Sequence, residues 1–92
     1  MAESYDIAIR VVSQEGTCEA GHEVGGEWLI KGDEFKTPPG VCVFAFYSLY
    51  PTIQMLMYGG NFPWESDSDA ATVACPDAQN PVVFEVRRIP EA

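Results

Sequence analysis

The run Val41-Cys42-Val43-Phe44-Ala45-Phe46-Tyr47-Ser48-Leu49-Tyr50-Pro51-Thr52-Ile53-Gln54-Met55-Leu56-Met57-Tyr58 decides the fold. It is too long and too apolar for a single strand, so it reads as a helix from Val41 to Tyr50, with Pro51 fitting the first turn of a continuation through Tyr58. Thr37-Pro38-Pro39-Gly40 punctuates the chain before it, and Gly59-Gly60 supplies the stop after it. A helix apolar on nearly every face is normally buried on nearly every face. The same stretch is where charge is missing: all nineteen charged side chains lie outside Thr37 to Trp64, which leaves 28 residues without one.

On the N-terminal side, Tyr5 to Val12 alternates, with Tyr5, Ile7, Ile9 and Val11 on one face and Asp6 and Arg10 on the other, the pattern of a half-buried strand. A polar segment rich in Gly and Glu follows, carrying Cys18 and His22. Glu27-Trp28-Leu29-Ile30 then reads as a second strand ending at the turn Lys31-Gly32-Asp33. On the C-terminal side, residues 61 to 69 read as a loop and Thr72-Val73-Ala74-Cys75 as a short strand. Pro76 to Pro81 reads as a turn. Val82 to Ile89 is the last strand, with Val82, Phe84 and Val86 alternating against Val83, Glu85 and Arg87. The order strand, strand, helix, strand, strand predicts a small α+β fold: a mostly antiparallel sheet of about four strands packed on one Pro-interrupted central helix. No repeat or linker divides residues 1–92, so they read as a single domain.

Charge narrows the functions. Fourteen Asp and Glu against five Lys and Arg leave a net charge of −9, which repels phosphate backbones and anionic lipid headgroups. Nucleic acid and membrane surfaces are therefore not expected as partners. The apolar run reaches only eighteen residues and includes Ser48, Pro51, Thr52 and Gln54, short of the roughly twenty predominantly apolar residues of a membrane span. Met1 to Asp6 has neither the basic nor the apolar part of a secretory signal, so a cytoplasmic location is expected. In that compartment three cysteines argue for thiols, thiolate ligands or core packing instead of a disulfide framework.

Cys18-Glu-Ala-Gly-His22 places a thiol and the chain's single imidazole four positions apart on one loop. Cys42 starts the expected helix and Cys75 ends the third strand, and such element ends can converge at one edge of a sheet. Cys18, His22, Cys42 and Cys75 thus make the complete set for a Cys₃His site, with zinc or iron as the expected metal. No paired C-x-x-C knuckle accompanies them. The alternatives are that Cys42 and Cys75 are small core residues with His22 in a solvated loop, or that the thiol is chemical. Cys42 near a helix N-terminus would favour thiolate, with His22 as its base and Asp77 as an acid or orienting group. Asp77 in its Pro-Asp-x-x-Asn-Pro turn has the competing role of capping its own backbone.

Phe44, Phe46, Tyr47, Tyr50, Tyr58, Phe62 and Trp64 make the central segment aromatic, and most are expected in the core. One helix on four strands cannot be covered all round, so the remainder would form a ligand pocket or a subunit interface, with homo-oligomerisation through the aromatic segment as the simpler outcome. Candidate pocket residues are Tyr47, Tyr50, Gly59, Gly60 and Trp64. Glu65-Ser66-Asp67-Ser68-Asp69 alternates like part of a calcium loop but lacks its glycine and distal Glu, and reads as a solvated acidic loop. Walker-type, G-x-G-x-x-G, G-x-S-x-G and H-E-x-x-H motifs are absent from the sequence.

Taken in order, Cys18-x-x-x-His22-x-x-Gly25, Pro39-Gly40-Val41-Cys42, Tyr50-Pro51, Tyr58-Gly59-Gly60-Asn61-Phe62-Pro63-Trp64, Cys75-Pro76-Asp77 and Pro81-Val82-Val83-Phe84 resemble an uncharacterised family of small prokaryotic proteins of about this length. The resemblance covers almost the whole chain, and its motifs are specific in combination. It implies that Cys18, His22, Cys42 and Cys75 belong together as a set, without implying an activity. Glu19-Ala20 stands where the family often has a Pro after the Cys. Three functions follow as expectations: a metal-binding domain, a small enzyme using the Cys42 thiolate or a metal-bound water beside an aromatic pocket that would take a small molecule, or a homo-oligomeric interaction module.

Overall fold

Alternation in Ile7, Ile9 and Val11 produces the expected first strand. In the computed structural model, which describes residues 4–16, 21–32, 36, 38–77 and 79–89, β1 spans Asp6–Gln14 with those three side chains buried. β2 is Glu27–Ile30, α1 is Val43–Met57, β3 is Ala70–Ala74 and β4 is Val82–Ile89. β2 and β4 match the sequence reading, while β3 starts two residues earlier than Thr72 and stops before Cys75. The four strands form one antiparallel sheet in the order β2-β1-β4-β3, with α1 packed against it, so the α+β class is as expected.

Register sets the two faces. Ile9 stands opposite Trp28 on β2 and Val86 on β4, Val11 opposite Phe84, and Ala71 opposite Val86. These residues share the helix side, where Ala45, Leu49, Ile53, Leu56 and Met57 of α1 complete the core. The outer side carries charge: Glu27, Arg10, Glu85 and Thr72 lie in one row across all four strands. Arg10 Nη2 is 3.6 Å from Glu85 Oε1 within that row. A register shift between Val11 and Ser13 inserts one extra residue into β1, and such bulges bend a strand. Beside the bulge, Val11 donates to the Gly26 carbonyl and Gly25 donates back to Val11. Gly25 takes a φ of +95° in the turn that makes this return, a conformation that costs other residues.

α1 is one continuous helix, with Pro51 in its interior and no break at Tyr50. This corrects the two-part reading. Proline denies an N–H to the carbonyl of Tyr47, and the helix continues because Pro51 and Tyr47 both lie on its exposed face, where water can serve that carbonyl. Gly59-Gly60 ends the helix as expected, and the geometry shows how: Gly60 donates to Met55 O at 2.8 Å and Gly59, at φ +92°, donates to Leu56 O at 3.2 Å. This pair of hydrogen bonds is the Schellman stop.

Arg88 then closes that end of the molecule. Only 7% exposed, it donates from Nη1 to Leu56 O and Gly60 O, from Nη2 to Ser68 O and from Nε to Asp69 Oδ1, at 2.7 to 3.1 Å. Its guanidinium lies 5.4 Å from the Tyr5 ring centroid. The positive charge meets the negative end of the helix dipole, which has no basic side chain of its own in the last turn. One side chain thus joins the helix end, the loop before β3, β4 and the start of β1.

Candidate functional site

The loop of residues 21–26 turns back along β1 and carries His22 inward. His22 is 5% exposed, with its ring edge-on to Trp28 at 5.0 Å and to Phe84 at 5.8 Å. Its Nε2 accepts a hydrogen bond of 3.1 Å from the backbone N–H of Cys42, the N-cap residue of α1. An accepting Nε2 places the proton of the neutral ring on Nδ1. Burial pushes the imidazole below its ordinary pKa, because desolvation disfavours the charged form. His22 is therefore not the solvated loop residue weighed above. It satisfies one of the amides that a helix start leaves open, at an N-cap whose own side chain makes no capping bond.

Of the candidate metal and catalytic residues, the fold brings His22 and Cys42 together through that backbone bond. Cys42 and Cys75 are both partly buried and packed on the core. Cys75 Sγ accepts from Val82 N–H at 3.3 Å, holding β3 to the start of β4. Asp77 serves its own turn, accepting from the N–H groups of Gln79 and Asn80 at 3.1 and 3.2 Å, as its turn context suggests. Among the described residues, no three His, Cys, Asp or Glu side chains are placed to hold one ion. Cys18 lies outside the described residues.

The aromatic segment departs furthest from the sequence reading. Phe46 and Phe62 are partly buried, whereas Phe44, Tyr47, Tyr50, Tyr58 and Trp64 are exposed, Tyr47 by 82%. The aliphatic residues of α1 fill the core side, so the bulky rings turn away from the sheet. Val43, Phe44, Tyr47, Tyr50, Pro51, Gln54, Met55 and Tyr58 together form the outward face of α1, with positions repeating every three or four residues as one helical face requires. Gln54 supplies the one amide on it. Trp64, 75% exposed, leans on Phe62 at 5.0 Å in the loop beyond the helix.

Of the expected pocket residues, Tyr47 and Tyr50 border a shallow apolar depression with Val43, Phe46, Ser48 and Pro51. Tyr50 also borders a second, more enclosed cleft beside β2, which Tyr58 and Ile30 share. Gly59, Gly60 and Trp64 line neither of these two. Gly60 instead has a packing role, since a Cβ there would collide with the Met55 side chain. Among the described residues, no helix is long and apolar enough to cross a membrane. No protein-family model, curated protein or solved structure matches the chain.

Proposed function

We propose that this chain is a homotypic interaction module whose partner is a second copy bound through the outward face of α1. The observation that carries this reading is the breadth of apolar surface on that face without a single charged side chain. At roughly 150–250 Å² for each aromatic side chain, the exposed parts of its rings and of Val43 and Met55 come to the order of 700 Å². Solitary domains seldom exceed a largest apolar patch of about 300–600 Å², and a stable interface takes about 800 Å² from each partner. A second copy matches the face in kind, since an uncharged surface meets an uncharged surface and a two-fold axis makes the contact self-complementary.

The net charge of −9 per chain gives this reading a signature. Two such chains repel at long range, so screening must strengthen their association, whereas pairing with a basic partner would weaken in salt. Analytical ultracentrifugation from about 50 to about 500 mM NaCl is expected to show a dimer that tightens with salt, and Tyr47→Glu is expected to sediment as a monomer. A wild-type protein that stays monomeric throughout, or an association weakened by salt, refutes the proposal.

A second reading keeps the metal. It is supported by the adjacency of His22 and Cys42, with Cys18 four residues before His22 in the sequence. A metal bound at His22 Nε2 would take the place of the Cys42 N–H. Elemental analysis giving close to one zinc or iron per chain is the expected result under this reading, and metal-free protein with an unchanged Tm overturns it.

A further inference from the structure

Charge pairing isolates one lysine. Of the five cations, Arg10 is paired with Glu85, Lys31 with Asp6, Arg87 with Asp67 and Glu85, and Arg88 with Asp69. Lys36 is the remaining one, and among the described residues no carboxylate stands against it. Lys36 sits at the rim of the cleft between α1 and β2, a space of about 210 Å³. Ile30, Ile53 and Met57 provide its buried apolar wall, and among the described residues no Asp or Glu lines it. Tyr50, Gln54 and Tyr58 share the exposed rim with Lys36, offering two phenols and a carboxamide as hydrogen-bond donors.

We propose that this cleft binds a small monocarboxylate with an apolar body, its carboxylate at Lys36 and its ring or short chain against Ile30, Ile53 and Met57. The volume lies below the roughly 300–1,000 Å³ usual for larger ligands, which limits the body to one ring or a few methylenes. A single ammonium at the rim suits one negative charge; a phosphate would bring more charge than Lys36 neutralises into a protein that is already strongly anionic. A cationic ligand would meet Lys36 with like charge. Tyr50, Gln54 and Tyr58 belong both to this rim and to the outward face of α1, so self-association through that face would compete with a ligand for the rim, whereas the apolar wall and Lys36 lie outside it.

Hexanoate is the probe, with hexanamide and hexylamine as its uncharged and cationic counterparts, followed by the methyl resonances of Ile30, Ile53 and Met57. Hexanoate is expected to shift these signals saturably with a millimolar Kd, and hexanamide to bind about fivefold more weakly, the scale of one exposed ion pair. Lys36→Gln, at an exposed position that should leave folding intact, is expected to lower hexanoate affinity to that of hexanamide. The proposal is overturned if hexanoate gives no saturable shift at these methyls, if hexylamine or hexanamide binds equally well, or if Lys36→Gln leaves hexanoate affinity unchanged. Repeating the titration on Tyr47→Glu separates the two ideas: the monomeric variant should bind hexanoate at least as tightly as the wild type, and loss of binding in a folded Tyr47→Glu protein counts against the cleft.

Discussion

Replacing Arg88 with methionine keeps most of the buried stem and removes everything the guanidinium does. The cost can be worked acceptor by acceptor. Leu56 O keeps the Gly59 N–H, and the Asp69 side chain, 46% exposed, can regain water. The Gly60 and Ser68 carbonyls, in partly buried surroundings, lose the guanidinium. A hydrogen bond from a charged group contributes about 1.5–3 kcal/mol, so two such losses, discounted for partial hydration, put Arg88→Met at about 3 kcal/mol. That is a large share of the roughly 5–14 kcal/mol expected for a chain of 92 residues. It corresponds to a fall in Tm on the order of 15 °C. Arg88→Lys should lie between wild type and Arg88→Met, because one ammonium cannot reproduce a planar fork aimed in three directions. Asp69→Asn should cost less than either. Urea unfolding of the three variants gives the ranking, and hydrogen exchange should show the amides of Gly59 and Gly60 opening first in Arg88→Met. An Arg88→Met protein within about 0.5 kcal/mol of wild type would refute the assignment of Arg88 as the lock on the helix end.

Acidification should destabilise the protein in two separate windows. His22 has its folded pKa below the ordinary 6.5 through burial, so its contribution is present above pH 6.5 and is lost as pH falls through the folded value. His22→Gln, which retains an acceptor, should flatten that part of a Tm-against-pH curve, and an unchanged slope in this variant would contradict it. Asp6, accepting from the Gly32 N–H and flanked by Lys31, and Asp67, accepting from the Asp69 N–H and paired with Arg87, are both held below the ordinary 3.8. Their contributions are present above that pH and lost as pH falls further below it, so Asp6→Asn and Asp67→Asn should matter near neutrality and cease to matter in strong acid. Denaturation curves for these variants that stay parallel to wild type at every pH would rule this out.

The strands and the helix stop were legible because each has a local signature. Val82 to Ile89 alternates, Glu27 to Ile30 precedes a Gly turn, and Gly59-Gly60 matches the residues that a Schellman stop requires. The outward aromatic face was not legible, because α1 is apolar all round and periodicity alone cannot say which side meets the sheet. Side-chain size decided it: Ala45, Leu49, Ile53 and Leu56 fit between the helix and Ile7, Ile9 and Val86, and the rings were left outside. Arg88 did leave a signal. One more step of the Val82, Phe84, Val86 alternation lands on an arginine at a core-facing position, and such a residue has to find several acceptors inside. His22 and Cys42 were read as partners through side-chain chemistry, whereas the contact that joins them runs through the Cys42 backbone, which no residue pattern reports. Lys36 stood out only once the other four cations had found their carboxylates.

The sheet order has a consequence for how the chain comes together. Its two central strands, β1 and β4, are the first and the last along the sequence, so the core cannot close until Val82–Ile89 is in place. During synthesis the helix of residues 43–57 leaves the ribosome well before its cover arrives, and for that interval both of its faces are bare. Like-charged flanks on each side of a neutral aromatic helix oppose the approach of one unfinished chain to another. The acidic flanks thus stand on both sides of a neutral segment that stays uncovered until the last strand is made.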